Sequence, residues 1–120
     1  MSITSVKTYK RTTIETAWPE ALSPESDWVA LTTSWKTLGK IMDTGHLKPD
    51  PLTRIFTRTF ANQAAFDEWH SNPVVQAVHI QQIGYEMPNN ITWTRVITNN
   101  ETGATTTERS TDFTLSLSKG

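Results

Sequence analysis

The sequence predicts an α+β protein, an antiparallel sheet with two helices on one of its faces. Three observations predict it. Several stretches are rich in β-branched residues or alternate apolar with polar side chains, as strands do. Two others repeat apolar residues at three- and four-residue steps, as amphipathic helices do. The two kinds come in the order strand, helix, turn-linked strands, helix, strand. A chain of 120 residues is the size of one domain, so residues 1–120 are expected to share a single core.

Ile3 to Ile14 (ITSVKTYKRTTI) reads as the first strand. A loop with two prolines follows, and Ser23 before Pro24 suits an N-cap with proline at the first helical position. Trp28, Leu31, Trp35, Leu38 and Met42 then mark one apolar helix face. Gly45 and the KPDP segment are expected to end that element and turn the chain, leaving Asp43 to Lys48 as a short hairpin strand. Leu52 to Phe60 alternates, with Arg54, Phe56, Arg58 and Phe60 on one face and Ile55, Thr57 and Thr59 on the other.

Asn62 is placed to cap a helix whose early apolar positions are Ala65, Phe66 and Trp69. The SNP at Ser71 to Pro73 allows a stop and a restart, with Asn72 as the new cap, and Gly84 is expected to close the second half. Ile91 to Thr98 alternates again, placing Ile91, Trp93, Arg95 and Ile97 on one face. After an NNETG turn, the Thr-rich remainder returns as an extra hairpin strand or an extended arm, with Phe113, Leu115 and Leu117 alternating near its end. The whole order is a split βαβ arrangement, the ferredoxin-like pattern. Its second sheet face is left for solvent, a ligand or a second copy.

Composition narrows the function classes. Without cysteine there are no disulfides, thiolate metal sites or cysteine nucleophiles. Eleven basic against twelve acidic residues give a net charge of -1, which offers nucleic acid no polycationic surface. No run approaches the roughly 20 apolar residues of a membrane span, and MSITSVKTYKRTT lacks a signal peptide's apolar core, so a cytoplasmic protein is expected. Five tryptophans point to aromatic packing, an interface or a pocket. No HExxH, phosphate-binding glycine loop or nucleophile elbow is present, and no metal site is expected.

One stretch is more specific. In RIFTRTFANQAAFDEWHSNPVVQAVH a strand ends in an aromatic residue, a polar cap follows, and AF..W..S leads into a restarted helix that reaches a histidine. Phe60, Ala65, Phe66, Trp69, Ser71 and His79 carry this pattern, which resembles the third strand and second helix of the antibiotic-biosynthesis-monooxygenase family, the dimeric α+β barrels. The resemblance implies a homodimer whose two open sheet faces close into a barrel, with a pocket between sheet and helices in each protomer. It also implies either oxygenation without metal or flavin, or haem degradation. In the haem-degrading branch a second-helix histidine binds iron and a tryptophan ten residues earlier lines the pocket, the separation of Trp69 and His79. That branch also uses a first-strand asparagine, and Ile3 to Ile14 has none. No cofactor is therefore expected; the alternative is haem, bound without turnover.

On this reading Trp69 walls the site and His79 is a base or hydrogen-bond partner. The plainer reading makes Trp69 a core anchor against Trp28, Leu31 or Trp35, and His79 a helix residue stacked with Val75 and Ile83. His46, His70, Asp67 and Glu68 read as solvent-facing. On the sheet, Tyr9 with Arg11, Phe56 with Arg58, and Trp93 with Arg95 each pair an aromatic ring with a guanidinium on one strand face. Tyr9, Phe56, Arg58, Trp93 and Arg95 are thus candidates to hold a planar ligand, or to form an interface with a second copy. An RNA-binding sheet is the rival use of the same face.

The functional expectation is a dimeric barrel that binds a flat, mostly apolar aromatic molecule and oxygenates a phenolic substrate without a cofactor. The alternative is a non-catalytic accessory protein that uses the barrel to dimerise, its pocket filled by side chains. The dimer is expected because an open face showing Phe56, Phe60 and Trp93 together would be an uncommon patch on a monomer.

Overall fold

The computed structural model describes residues 2–18 and 26–111. Its elements are β1 (Ile3–Lys10), α1 (Ser26–Thr37), β2 (Ile41–Asp50), β3 (Thr53–Phe60), α2 (Gln63–Ser71), α3 (Pro73–Glu86), β4 (Thr92–Asn99) and β5 (Thr105–Arg109). The strands form one antiparallel sheet in the order β2-β3-β1-β4-β5. That order is compatible with a ferredoxin-like fold, with β5 added beside β4. The Ser23–Pro24 cap and the Phe113, Leu115 and Leu117 alternation lie outside the described residues.

The helix signals around Asn62 and Asn72 hold. Asn62 Oδ1 accepts a hydrogen bond from the Ala65 amide at 2.8 Å. Asn72 Oδ1 accepts one from Val74 at 2.9 Å, while its own amide donates to the Trp69 carbonyl at 3.2 Å. One residue thus closes α2 and opens α3, and Pro73 at the start of α3 has no amide that needs a partner.

Other boundaries differ from the sequence reading. α1 ends at Thr37 because Gly39, at φ +75°, lets the Lys40 amide reach the Trp35 carbonyl and its own amide reach Lys36. This is a Schellman stop. Trp28, Leu31 and Trp35 therefore face the core, whereas Leu38 and Met42 fall beyond the helix and are exposed. Gly45, expected as a turn, lies inside β2, which is longer than the hairpin strand anticipated. Gly84 lies inside α3, and the left-handed residue at that helix's exit is Asn90, at φ 56°. β1 stops at Lys10 rather than Ile14, where Arg11 turns away to donate to the Pro51 and Thr16 carbonyls.

Strand register settles which sheet face is covered. Ile3 pairs with Phe60, Ser5 with Arg58, Lys7 with Phe56 and Tyr9 with Arg54 on one side of β1. On the other side Ser5 pairs with Ile97, Lys7 with Arg95 and Tyr9 with Trp93. All of these side chains point toward the helices, where Phe60 and Trp93 are 0% and 2% exposed. The expectation that Phe56, Phe60 and Trp93 sit on the open face is thus overturned. An RNA platform of Phe56, Arg58, Trp93 and Arg95 has no open surface to act on either. The open face instead carries Thr4, Val6 and Thr8 of β1 beside Ile55, Thr57 and Thr59 of β3 and Thr94, Val96 and Thr98 of β4, all half-buried.

The covered face holds two aromatic clusters. Ile3, Trp35, Ile41, Phe60, Ala65, Trp69 and Val75 form one, and Tyr9, Trp18, Ile91 and Trp93 the other. Trp69 is the hub of the first, edge-on to Trp28 and Trp35 at 5.3 and 5.1 Å between ring centroids. Removing the Phe60 ring from between Phe66, Trp69 and His70 should cost about 3–5 kcal/mol, against about 1 kcal/mol for Asn72→Ala. Urea denaturation of the two variants checks that order, and an Asn72→Ala loss equal to that of Phe60→Ala would contradict it.

A candidate cationic pocket

Between the two clusters the sheet face turns polar. Ser5 and Lys7 of β1, Arg58 of β3 and Arg95 of β4 form a belt, and the helices above it do not fill the space. A cavity of about 260 Å³ remains, lined by the belt, by Tyr9, Trp28, Phe56 and Trp69, and on the helix side by His70, Val75, Val78, His79 and Gln82. At roughly 30 Å³ of liquid per water, it has the volume of about nine waters, enough for a small ring compound.

Three cations inside a largely aromatic wall need an electrostatic account. Arg95 has the simplest one. Its Nε and NH2 donate to Glu108 Oε1 at 2.8 and 2.6 Å, a pair that β5 supplies because Glu108 lies directly across from Arg95. Arg95 NH1 also donates to His70 Nε2 at 3.2 Å. His70 Nδ1 therefore carries the proton and donates to the Phe66 carbonyl at 2.8 Å, which fixes the tautomer. The expectation of a solvent-facing His70 is corrected: it is half-buried and wedged between α2 and β4. Burial pushes its pKa down to about 4.

Lys7 lies over Trp93 and Tyr9, its Nζ 4.2 and 4.9 Å from their ring centroids. It is 3.1 Å from His79 Nε2. Burial first, and then the Arg95 charge, lower the Lys7 pKa to about 7. His79 stacks on Trp93 at 5.9 Å, and burial with the nearby charges of Lys7 and Arg95 holds its pKa at about 3. It is a neutral acceptor toward the lysine. Haem fits this arrangement poorly, since iron at Nε2 would displace Lys7 and add a cation beside Arg95 and Arg58. Glu86, itself only 2% exposed at the end of α3, has its pKa raised to about 7 by burial, with the Lys7 charge and a hydrogen bond to Trp93 opposing the shift.

Arg58 differs from both. Its guanidinium lies 4.9 Å from the Trp69 ring and 5.6 Å from Trp28. Its Nε is buried without a hydrogen-bond partner, and no described carboxylate forms an ion pair with it. Burial lowers its pKa to about 10, so it stays charged at neutral pH.

The structure thus gathers Tyr9, Phe56, Arg58, Trp69, His79 and Arg95 around one cavity, while Trp93 lies beneath Lys7 and His79. Arg11 is not among them: it clamps the loop after β1 and, with Arg54, flanks Trp18 at 4.7 and 5.3 Å. His46 is exposed and stacks on Phe56 at 4.2 Å. Asp67 and Glu68 are exposed, the latter paired with Lys40. Lys7, Ser5, Glu86 and Glu108 escape the sequence reading. Two-residue alternation from Tyr9 back to Lys7 and Ser5 carries a signal for the first two. Among the described residues no group of three or more acidic or histidine side chains could hold a metal ion, and no helix is long and apolar enough to cross a membrane. No known protein family, curated protein or solved structure matches the chain.

The histidines and Glu86 give stability opposing pH dependences. A histidine whose folded pKa is depressed contributes fully above its unfolded value of about 6.5 and loses that contribution as pH falls. Glu86, raised, contributes fully below its ordinary value near 4.5 and loses that as pH rises toward 7. Between pH 4.5 and 6.5 two imidazoles outweigh one carboxyl, so stability should fall on acidification. Each imidazole adds a slope of up to about 1.4 kcal/mol per pH unit. His70→Gln or His79→Gln should flatten the urea-midpoint profile across this range and Glu86→Gln should steepen it; unchanged slopes in all three would refute the assignment.

Proposed function

We propose that the protein binds a small planar aromatic anion, a carboxylate or phenolate, in the cavity between the sheet and α2–α3. The observation that carries this is Arg58, a buried guanidinium set over two indoles with no counter-ion among the described residues. A bound anion supplies the missing charge, and the fork of donors suits a planar oxyanion. Trp69, Trp28, Phe56 and Tyr9 give the ring apolar walls. The ligand is therefore less apolar than the sequence alone suggests. Side chains leave the cavity unfilled, which supports binding over a purely accessory role.

The chemistry that the resemblance implies, cofactor-independent monooxygenation, fits the same arrangement. A phenol and dioxygen give a quinone and water, and the reaction starts from the phenolate, which Arg58 stabilises. His79 is too weak a base to take the phenol proton. Lys7, neutral in about half the molecules at pH 7, is placed to take it, with His79 holding its amine.

Titration of tryptophan fluorescence with benzoate should saturate. Arg58→Gln should weaken binding at least tenfold, about 1.4 kcal/mol, and the neutral isostere benzamide should not compete. Benzamide binding as well as benzoate would refute the anion site. Oxygen uptake on addition of a naphthol, reduced in Arg58→Gln, would support turnover; saturable binding without uptake would leave a binding protein.

Self-association through the open face is also proposed, on different residues from those first expected. Val6 lies directly across from Val96 and diagonally across from Ile55 there, among threonines, a β-branched surface suited to packing against its own copy. Light scattering at micromolar concentration should give twice the 13.5 kDa chain mass, and Val96→Lys should return it to the monomer. A monomer in the unaltered protein would end this proposal.

A further inference from the structure

The most unusual group in the cavity is Lys7. A primary amine on a central strand, facing open volume, is an uncommon element of a packed core. Its Nζ sits over Trp93 and Tyr9 and is held on one side by His79 Nε2 at 3.1 Å. Among the described residues no carboxylate lies within ion-pair distance of it; Glu86 of α3 and Glu108 of β5 act on it only from farther off, favouring the protonated form. Guanidiniums flank it on both neighbouring strands: Arg95 directly across on β4, and Arg58 diagonally across on β3. A lysine among aromatic rings and beside other cations is the environment that makes an ε-amine nucleophilic.

We infer that Lys7 is a carbonyl-condensing amine, and that the ligands of this cavity include aromatic aldehydes or ketones that also carry an acidic group for Arg58. The inference rests on the anion-binding reading for its second half only. Diagonal strand neighbours are about 7–8 Å apart at the backbone, a span that one aromatic ring with para substituents can bridge. An anionic group on Arg58 thus directs a carbonyl at the opposite end of the ring toward Nζ.

The step balances without any further reactant. The Nζ lone pair attacks the carbonyl carbon, and a C–N bond forms as the carbonyl π electrons move to oxygen. Transfer of a proton from nitrogen to that oxygen gives the neutral carbinolamine. Loss of the hydroxyl with the second amine proton releases one water and leaves the imine. No oxidant or reductant is consumed. His79 Nε2 is a positioning group here: accepting one N–H leaves the lone pair free to turn toward the cavity. Burial, with the Arg95 and Arg58 charges, lowers the amine's pKa to about 7 against the opposing pull of Glu86 and Glu108, whereas exposed lysines ionise near 10.4.

The test is reductive trapping of the intact protein with 4-formylbenzoate or benzaldehyde and sodium cyanoborohydride, followed by peptide mapping. Mapping separates Lys7 from the other five lysines and from the N-terminal amine. With 4-formylbenzoate at pH 7, Lys7 should be labelled at least tenfold faster than any other lysine, the rate rising with pH through about 7 and levelling above it. Benzoate should protect Lys7, and Lys7→Arg should remove the fast phase. The preference for 4-formylbenzoate over benzaldehyde should fall at least tenfold in Arg58→Gln. Labelling of Lys7 no faster than the exposed lysines would overturn the inference, and it would leave the anion site standing if benzoate still binds. Fast labelling of Lys7 by both aldehydes at equal rates would overturn the substrate class while the nucleophilic amine would stand, and the benzoate titration would decide the Arg58 site separately.

Discussion

The burial of positive charge on one sheet face is the constraint that orders this structure. Ser5, Lys7, Arg58 and Arg95 occupy the middle of a surface whose two ends are closed by aromatic clusters. Taking three cations out of water is unfavourable, and each is compensated differently. Arg95 has a carboxylate, Lys7 gives up its proton readily, and Arg58 relies on the faces of two indoles. Cation–π contacts offset about 2 kcal/mol or more when desolvated, less than the full cost of a buried charge. The cavity beside Arg58 is where the remaining imbalance resides.

The surrounding elements follow from that arrangement. β5 is an edge strand with little apolar surface, yet it presents Glu108 opposite Arg95 and so neutralises the belt from the side. α2 brings Trp69 and His70 as consecutive residues, one packing into the core and the other reaching a guanidinium. The break at Asn72 sets α3 off so that Val75, Val78, His79 and Gln82 form the cavity's upper wall. Every titratable group facing the cavity from the helices is thereby held neutral or near neutral, which avoids adding to the charge below.

Much of the architecture was legible in the sequence because its signals were local. Alternation marked β3 and β4, and asparagine at the two caps with proline after the second fixed α2 and α3. The misplaced boundaries came from glycine: Gly39, not Gly45, has the positive φ that stops α1, and Gly84 sits in a helix that ends at an asparagine turn instead. Alternation places the aromatic rings and the guanidiniums on shared strand faces, but the side expected to be open is the one that the helices cover. One strand's alternation says which residues share a face and never which face the helices cover. Arg58 and Arg95, being charged, argued for exposure until the pocket supplied another reason for them to point inward. Glu86 and Glu108 were invisible for a simpler reason, since their importance depends on Lys7 and Arg95, far away in sequence.

The central position of β1 has a consequence for how the chain matures during synthesis. β1 is made before both of its neighbours, since Ile3 must wait for Phe60 on one side and for Asn99 on the other. Until β3 has left the ribosome, the segment that carries Lys7 is a short β-branched stretch with both backbone edges unsatisfied, and one edge stays open until β4 follows. It then resembles a sheet edge more than a core strand, open to pairing with the wrong partner. Polar residues at Thr4, Ser5, Lys7 and Thr8 interrupt what would otherwise be a continuous apolar run. Two of these, Ser5 and Lys7, line the pocket in the finished protein, so in the nascent one the same side chains help to keep its first strand from pairing wrongly.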